Sequence, residues 1–390
     1  MIDGLVDILG LTARDLESAA ALRLSAGAGI APKVFGQAQR EGVFAPERHV
    51  HLPATAAGWR AAFRVGLLTV VRTVEEINEA GPTAKAVLRL DDGYEVECVR
   101  IPMRYADDGS VTGWTLCLSS QVGCRMGCGF CETARMGLVR QLTAAEIVAQ
   151  VVTARVALGW TTRNLVFMGM GEALDNVENL IQAIRVLNDD RGLGFGLDHI
   201  TVCTSGHVEG LRRLSAQGWK RLNLSISLNA STDETRSRLM PVNRKTPLAE
   251  LQAALIAYRP RRNFAFAVNY CLMPGFNDTE ADAWRIAEFT RPLGRALLNL
   301  IPYNPGNLPL TRAPTEDEVV RFVGWLRTAG VAVRRRITKG RSIMAACGQL
   351  GNAELRRTGR PAPGPGLTRQ ALVHAVASSP EPTSIKDSPC

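Results

Sequence analysis

Four of the nine cysteines in this chain lie within one short stretch, CLSSQVGCRMGCGFC. Three of them, Cys124, Cys128 and Cys131, follow the spacing C-x3-C-x2-C, and Cys117 stands seven residues before the first of the three. Three soft thiolates in one loop can bind three irons of a cubane iron–sulfur cluster. The fourth iron is then open to a chelating substrate, and the aromatic Phe130 would shield the cluster from water.

Zinc is the alternative metal for such a loop. A structural zinc site needs four ligands, and the chain has only five histidines, none of them close to these cysteines in the sequence. The spacing therefore favours an iron–sulfur cluster, with Cys124, Cys128 and Cys131 as its predicted ligands.

The composition is that of a large globular protein, with 390 residues, 46% hydrophobic content and a formal net charge of +9. The first ten residues carry Asp3 and Asp7 within their apolar run, unlike a signal peptide, and no apolar run reaches the length of a membrane span. These features predict a cytoplasmic protein with no membrane partner, where clustered cysteines bind metal or act in catalysis. The positive charge suits a polyanionic partner.

The chain divides into four predicted parts. Residues 1–83 are predicted to form a small, mainly helical accessory domain, because LVDILGL and the run at 59–77 place apolar residues at helical spacing. Residues 84–113 are predicted to form a β-hairpin, with the strands AKAVLRL and YEVECVRIP joined by the turn sequence DDG. Residues 114–350 form the predicted core, and the Pro- and Ser-rich stretch 351–390 is predicted to be a disordered tail.

Within the core, strand-like runs alternate with helical patterns, and each connection is long enough for a βα unit. The six runs are TLCLS, NLVFMG, HITVCTS, RLNLSISL, FAFAVNYCLM and ALLNLIPYN. This alternation predicts an α/β fold with an open, partial (β/α)6 barrel. A doubly wound sheet is the competing layout, because periodicity alone does not decide closure.

The predicted helix starts agree with this layout. Thr143 with Glu146, and Thr315 with Glu318, each fit a capping box, and Pro247 fits the first turn of another helix. Polar and glycine-rich peptides follow the predicted strands, and loops at that end of a barrel converge on its active site. Besides the cysteine loop, they are GMGE (169–172), TSG (204–206), SLN (227–229), MPG (273–275) and YNP (303–305).

These motifs, in this order, resemble those of the RlmN/Cfr family, radical S-adenosylmethionine enzymes that methylate an adenine carbon of large-subunit ribosomal RNA. The resemblance runs from about Val96 to Leu350 and is carried by CLSSQVGCRMGCGFC, GMGEA, TSG, LMPVN, LIPYNP and AACGQL. It implies a radical S-adenosylmethionine barrel, a [4Fe-4S] cluster, two S-adenosylmethionine molecules per turnover, and RNA, in particular 23S rRNA, as the partner. It also implies an electron donor such as flavodoxin or ferredoxin.

The resemblance further implies roles for single residues. Cys347 would be methylated first and would carry the methyl group that is then joined to the adenine. Cys117 would resolve the protein–RNA adduct through a transient disulfide with Cys347, and Glu97 would accept a proton from that adduct. The implied contacts to S-adenosylmethionine are Gly171, Glu172, Ser205, Ser227, Leu228, Asn229 and Asn304.

Three positions depart from the family's pattern. Ala173 stands in place of the proline usual in the C2-type members, Asn229 in place of the family's usual histidine, and Tyr303 in place of the tryptophan common in the C2 type. The target carbon, C2 or C8, therefore stays open. Two other functions are the alternatives: a radical enzyme acting on a peptide or small molecule, and a non-catalytic RNA-binding relative. The basic run RRRITKGR (334–341) is either solvated surface or a contact that carries RNA phosphates toward Cys347.

Overall fold

The architecture is taken from a computed structural model, in which residues 4–78 and 81–351 are described. Helices alternate with strands through most of this part of the chain. The helices are α1 (Ala13–Arg23), α2 (Ala31–Glu41), α3 (Pro53–Ala62), α4 (Glu132–Arg135), α5 (Ala144–Leu158), α6 (Val177–Asn188), α7 (Val208–Ser215), α8 (Asp233–Leu239), α9 (Leu248–Tyr258), α10 (Glu280–Thr290) and α11 (Glu316–Thr328).

The strands form one large sheet and two small pairs. The small pairs are β1 (Val6–Asp7) with β2 (Phe63–Arg64), and β7 (Gln121–Cys124) with β8 (Gly137–Gln141). The strands of the large sheet are β3 (Thr69–Asn78), β4 (Gly81–Arg89), β5 (Glu95–Tyr105), β6 (Val111–Cys117), β9 (Asn164–Phe167), β10 (Ile200–Thr204), β11 (Asn223–Ser227), β12 (Ala265–Leu272), β13 (Arg295–Pro302) and β14 (Val333–Arg335).

The large sheet has ten strands in the described residues, in the order β14-β13-β12-β11-β10-β9-β6-β5-β4-β3. Every pair from β6 to β14 is parallel, and every pair from β3 to β6 is antiparallel. The parallel strands follow one another in sequence order without the reversal that defines a doubly wound sheet. The predicted partial barrel is therefore confirmed over the doubly wound alternative.

All six predicted core strands are present, as β6 and β9 to β13. The seventh parallel strand, β14, was not predicted, because it has only three residues and two of them are exposed arginines. The capping boxes of α5 and α11 form as predicted, and Pro247 is the N-cap of α9 rather than a residue of its first turn.

The predicted helix at 59–77 is wrong beyond Ala62. Helix α3 ends there, and Thr69–Asn78 instead forms β3, which pairs antiparallel with β4. Thr69–Asn78 contains six β-branched residues, and such side chains favour a strand once a partner strand is available. The predicted hairpin of β4 and β5 is present, with Gly93 at φ 87° in its turn, and β3 extends it by one strand.

The N-terminal helices pack against the barrel rather than apart from it. The backbone N–H of Ala13 donates to Asp189 Oδ2 at 2.9 Å, and Arg40 Nε donates to the Gly192 carbonyl at 3.0 Å. One apolar core runs from Leu16 and Phe35 through the barrel to Phe322. The four domain boundaries stay a prediction, and the predicted tail lies outside the described residues apart from Gly351.

Candidate active site

The three predicted cluster ligands lie in one tight loop after β6. Cys124 ends β7, Cys131 is the N-cap of α4, and the Cys131 N–H donates to the Cys128 carbonyl at 3.1 Å. Gly123 lets the loop start, because its φ is 76° and a Cβ there would lie 1.8 Å from a carbonyl oxygen of β8. Burial raises the pKa of Cys124 to about 12 and also raises the pKa of Cys128 and Cys131.

The arrangement of these thiols fits a cluster better than a single metal ion. Each of the three thiols lies close enough to another to act on its pKa, but no three His, Cys, Asp or Glu side chains in the described residues are placed to hold one ion. Zinc would need four ligands at about 2.0–2.3 Å from one point, whereas each cysteine of a cubane cluster binds a different iron. Cys128 and Phe130 also pack against an apolar group that includes Met240 and Tyr303, so the predicted shielding by Phe130 has apolar partners.

Glu172 and Ser205 meet at the rim of the barrel, next to the cysteine loop. Both the N–H and the Oγ of Ser205 donate to Glu172 Oε2 at 2.7 Å, although Glu172 follows β9 and Ser205 follows β10. Gly171 has a φ of 99°, and a Cβ there would lie 2.6 Å from Gln121. The peptide GMGE therefore places a buried carboxylate where a ligand's cationic amino group could bind.

Arg236 connects the Glu172–Ser205 pair to the loop that follows β11. Its role was not predicted from the sequence. Its guanidinium is fully buried and donates to the carbonyls of Ser205 at 2.5 Å, Leu228 at 3.0 Å and Ser227 at 3.2 Å. Burial lowers the pKa of Arg236 to about 10. The only sequence signal for this role was its place three residues before LMPVN, whose Asn243 accepts a hydrogen bond from the same guanidinium at 2.8 Å.

Replacing Arg236 by methionine should weaken the binding of S-adenosylmethionine by about ten-fold or more, because each buried carbonyl left without a donor costs about 1–3 kcal/mol and the loops would shift to satisfy them. Calorimetric titration of the reconstituted protein measures this affinity. The matched control is Arg238→Met, an exposed arginine on the same helix that stacks on Phe276. Equal affinity of Arg236→Met and Arg238→Met for S-adenosylmethionine would contradict the prediction that Arg236 organises the cofactor site.

The other two predicted cofactor contacts are also at the rim. Asn229 has a φ of 56°, its Oδ1 accepts from the Cys271 N–H at 2.9 Å, and its Nδ2 lies 3.4 Å from Met240 Sδ. The protein thus engages both the oxygen and the nitrogen of its side-chain amide. Asn304 is buried at the end of β13, beside Tyr303.

Cys347 lies between the cysteine loop and the hairpin. We call residues 339–351 the Cys347 segment. On one side, the Glu132 N–H donates to the Gly348 carbonyl at 2.7 Å, and Thr133 Oγ1 donates to the Leu350 carbonyl at 2.6 Å. Cys347 itself keeps solvent-accessible surface, although surrounding protein atoms desolvate its thiol and raise its pKa, with Arg336 opposing the shift.

Cys117 ends β6, and its thiol is close enough to Cys347 for that residue to act on its pKa. Both are free thiols, and Cys117 is buried. Burial raises the pKa of Cys117 far above its usual range, and the nearby Cys347 thiol adds to the shift. Cys347 also contributes to the raised pKa of Cys203 and Cys271. Both of these cysteines are only partly buried, so they line the site.

Glu97 is buried on β5 and faces the Cys347 segment. Its Oε2 accepts the Gly351 N–H at 2.8 Å, and its Oε1 lies 3.0 Å from Lys85 Nζ. The structure therefore places Glu97, Cys117, Cys347 and the cluster loop around one mouth of the barrel. A cavity of about 660 Å³ lies beside the Cys347 segment, and it is lined by residues such as Glu76, Pro305, Arg341, Ser342, Met344 and Gln349 but not by Glu97 or any of the cysteines.

Known proteins resemble this chain along most of its length. The model of the Radical SAM superfamily matches residues 118–289. A curated relative from Protochlamydia amoebophila, "Probable dual-specificity RNA methyltransferase RlmN 1", is 43% identical over 277 residues, which cover 71% of this chain and 75% of the relative. "Dual-specificity RNA methyltransferase RlmN" from Lawsonia intracellularis is 36% identical over 353 residues, covering 89% and 96%.

The chain belongs to the RlmN family of RNA methyltransferases. A solved radical SAM methyltransferase from Sphaerobacter thermophilus superposes with a TM-score of 0.79 at 36% identity, covering 88% of this chain and 99% of that one. As an RlmN-family member, the chain is an S-adenosylmethionine-dependent enzyme that methylates RNA, and radical chemistry implies a [4Fe-4S] cluster. A peptide or small-molecule substrate and a non-catalytic role are thereby disfavoured. No helix in the described part of the chain is long and apolar enough to cross a membrane.

Proposed function

We propose that this RlmN-family enzyme methylates an adenine carbon, C2 or C8, of large-subunit ribosomal RNA through a methyl group carried on Cys347. The observation that carries the proposal is the position of Cys347. The cluster loop binds the Gly348 carbonyl next to it, the Cys117 thiol is close enough for Cys347 to act on its pKa, and the Glu97 carboxylate accepts the N–H of Gly351 four residues after it. No simple methyl transfer needs this set of residues, because a methyl group can pass from S-adenosylmethionine to a nitrogen or oxygen directly.

Cys124, Cys128 and Cys131 would hold the cluster, and the rim residues around Glu172 and Ser205 would hold S-adenosylmethionine. Bound there, these groups supply the methyl group and the radical that an unreactive adenine carbon requires. Two S-adenosylmethionine molecules would be used per turnover, together with an electron donor such as flavodoxin or ferredoxin. The Glu172 carboxylate, which accepts a hydrogen bond from Ser205, would bind the amino group of the cofactor.

The remaining steps fall to the protein. Once the methylene carbon on Cys347 is joined to the adenine, the adduct would give up one electron, for which a bound cluster would be the acceptor, and Glu97 would accept the proton that leaves the ring carbon. Cys117 would then attack the Cys347 sulfur: the sulfur–methylene bond breaks, its electron pair passes to the carbon, a proton completes the methyl group, and a Cys117–Cys347 disulfide remains. The raised pKa of Cys117 keeps its thiol protonated at rest, and a thiol is a weaker nucleophile than a thiolate.

The basic run before Cys347 supports an RNA partner. Arg336 is close enough to act on the pKa of Cys347, and Arg341 lines the cavity beside the Cys347 segment. Arg335 instead pairs with Glu316 at the surface. These positions support Arg336 and Arg341 as residues that would bind phosphates next to the target base.

The test is to treat large-subunit RNA from cells lacking this enzyme with the reconstituted protein, digest the product and separate the methylated nucleosides. We expect 2-methyladenosine or 8-methyladenosine. Ala173 and LMPVN resemble the C8 type and Pro302 the C2 type, so the ratio of the two products decides the target carbon. A methyl group on a ribose oxygen or an exocyclic nitrogen would contradict both, because neither position needs a radical.

A further inference from the structure

Lys85 contacts the hairpin glutamate and the Cys347 segment at the same time. Its Nζ lies 3.0 Å from Glu97 Oε1 and donates to the Met344 carbonyl at 3.1 Å. The side chains of Lys85 and Glu97 are each only 6% exposed. One ammonium group therefore bridges a carboxylate on β5 and a backbone carbonyl three residues before Cys347.

This bridge joins positions that are distant in the sequence. Lys85 and Met344 are 259 residues apart, and Glu97 and Gly351 are 254 residues apart. The two oxygens of Glu97 have different partners, Lys85 on one and the Gly351 N–H on the other, so the carboxylate is held from both sides. The Cys347 segment is therefore bound to the Glu97 carboxylate at two points. Gly351, after Cys347, binds it directly, and Met344, before Cys347, binds it through Lys85.

The conformation of Met344 shows why its carbonyl needs a partner. Met344 has a φ of 52°, in the left-handed region that non-glycine residues rarely adopt and that persists only where surrounding contacts hold it. The Lys85 ammonium supplies such a contact at the Met344 carbonyl. Glu76 holds the preceding turn, because its carboxylate accepts the N–H groups of Gly340 at 2.9 Å and Ser342 at 2.6 Å.

A buried charged pair is a weak source of stability, because desolvating both ions offsets much of their attraction. The position of Lys85 is better explained by what it aligns. We propose that Lys85 is a positioning residue, which fixes the Glu97 carboxylate relative to Cys347 so that the carboxylate meets the adduct formed there. This inference rests on the proposed function, in which Glu97 is the base and Cys347 carries the methyl group.

The test is to compare Lys85→Met with wild type under anaerobic single-turnover conditions. We expect iron content, cleavage of S-adenosylmethionine and methylation of Cys347 to change by less than about two-fold, whereas release of methylated RNA falls about ten-fold or more and the covalent adduct accumulates. The expected fall in RNA release is smaller than the fall of about 10²–10⁴-fold that loss of a general base causes. Lys85→Arg, which keeps the charge and a donor, should recover part of the release rate.

Arg89→Met is the matched control. Arg89 pairs with Glu95 at 2.9 Å on the same two strands, and these two residues are registered opposite each other. Removing this cation should leave RNA release unchanged. If Arg89→Met slows release as much as Lys85→Met does, the effect comes from weakening the hairpin in general, and the inference is overturned.

The double variant Lys85→Met/Glu97→Gln removes both buried charges, so it avoids the unpaired carboxylate that could unfold Lys85→Met. Because Lys85 acts on release through Glu97, the double variant should release RNA as slowly as Glu97→Gln alone. Slower release from the double variant would overturn the inference. Normal release from Glu97→Gln would instead contradict the proposed function, so the two failures are distinguishable.

Discussion

Replacing Cys347 by alanine should abolish RNA methylation and should leave no covalent protein–RNA adduct, since the variant has no sulfur to carry the methyl group. Cys117→Ala should have the opposite effect on the adduct. The adduct forms on Cys347 but no neighbouring thiol resolves it, so it accumulates and is seen as a slow band on a denaturing gel. Both variants should keep the wild-type iron content, because the predicted ligands are Cys124, Cys128 and Cys131.

The control for both is Cys98→Ala. Cys98 is fully buried on β5, next to the strand that carries Cys117, and lies in the apolar core. Its removal should leave the pattern of products unchanged. Methylation that persists in Cys347→Ala would contradict the cysteine mechanism while sparing the cluster assignment, and a Cys117→Ala enzyme that turns over normally would point to another resolving thiol, such as Cys203 or Cys271.

Loss of any one of Cys124, Cys128 and Cys131 should abolish the cluster and with it all methylation. Each alanine leaves one iron without its thiolate. Iron and sulfide analysis of anaerobically purified protein, together with its visible absorbance, measures the loss. Because burial raises the pKa of all three thiols, cluster assembly should also release protons.

Cys203→Ala is the control for this series. Cys203 is a thiol of the same barrel mouth, and its Sγ lies 3.6 Å from Ser227 Oγ and from Asn269 Nδ2. The variant should keep its iron. Unchanged absorbance and iron content in the triple alanine variant of Cys124, Cys128 and Cys131 would show that iron binds elsewhere. That result would contradict the prediction that these three cysteines are the cluster ligands.

The barrel could be predicted from the sequence because its strands are short apolar runs that end in glycine-rich or polar peptides. The pattern for β10, for example, ends in Thr204–Ser205–Gly206, where the chain leaves the sheet. The error at β3 has a physical cause. Residues 69–77 have apolar residues at a spacing that fits a helix and β-branched residues that favour a strand, and pairing with β4 decides between them.

The candidate site was predictable where its chemistry lies in local spacing, as for Cys124, Cys128 and Cys131. Lys85 and Arg236 were not predictable. A lysine in a strand and an arginine in a short helix are usually exposed, and here each is buried by contacts with loops far away in the sequence. Such residues become visible only when the fold brings their partners together.

The path of the chain after β14 has a consequence for the order in which the enzyme is made. β14 is one edge of the open sheet, and β3 is the other. The Cys347 segment leaves β14 and crosses to β3, β4 and β5, where Glu76, Lys85 and Glu97 bind it. During synthesis, every strand of the sheet leaves the ribosome before Cys347 does. A chain that ends after β14 would therefore contain all ten strands of the sheet but lack Cys347, the proposed methyl carrier, together with Arg336 and Arg341, which are proposed to bind RNA phosphates.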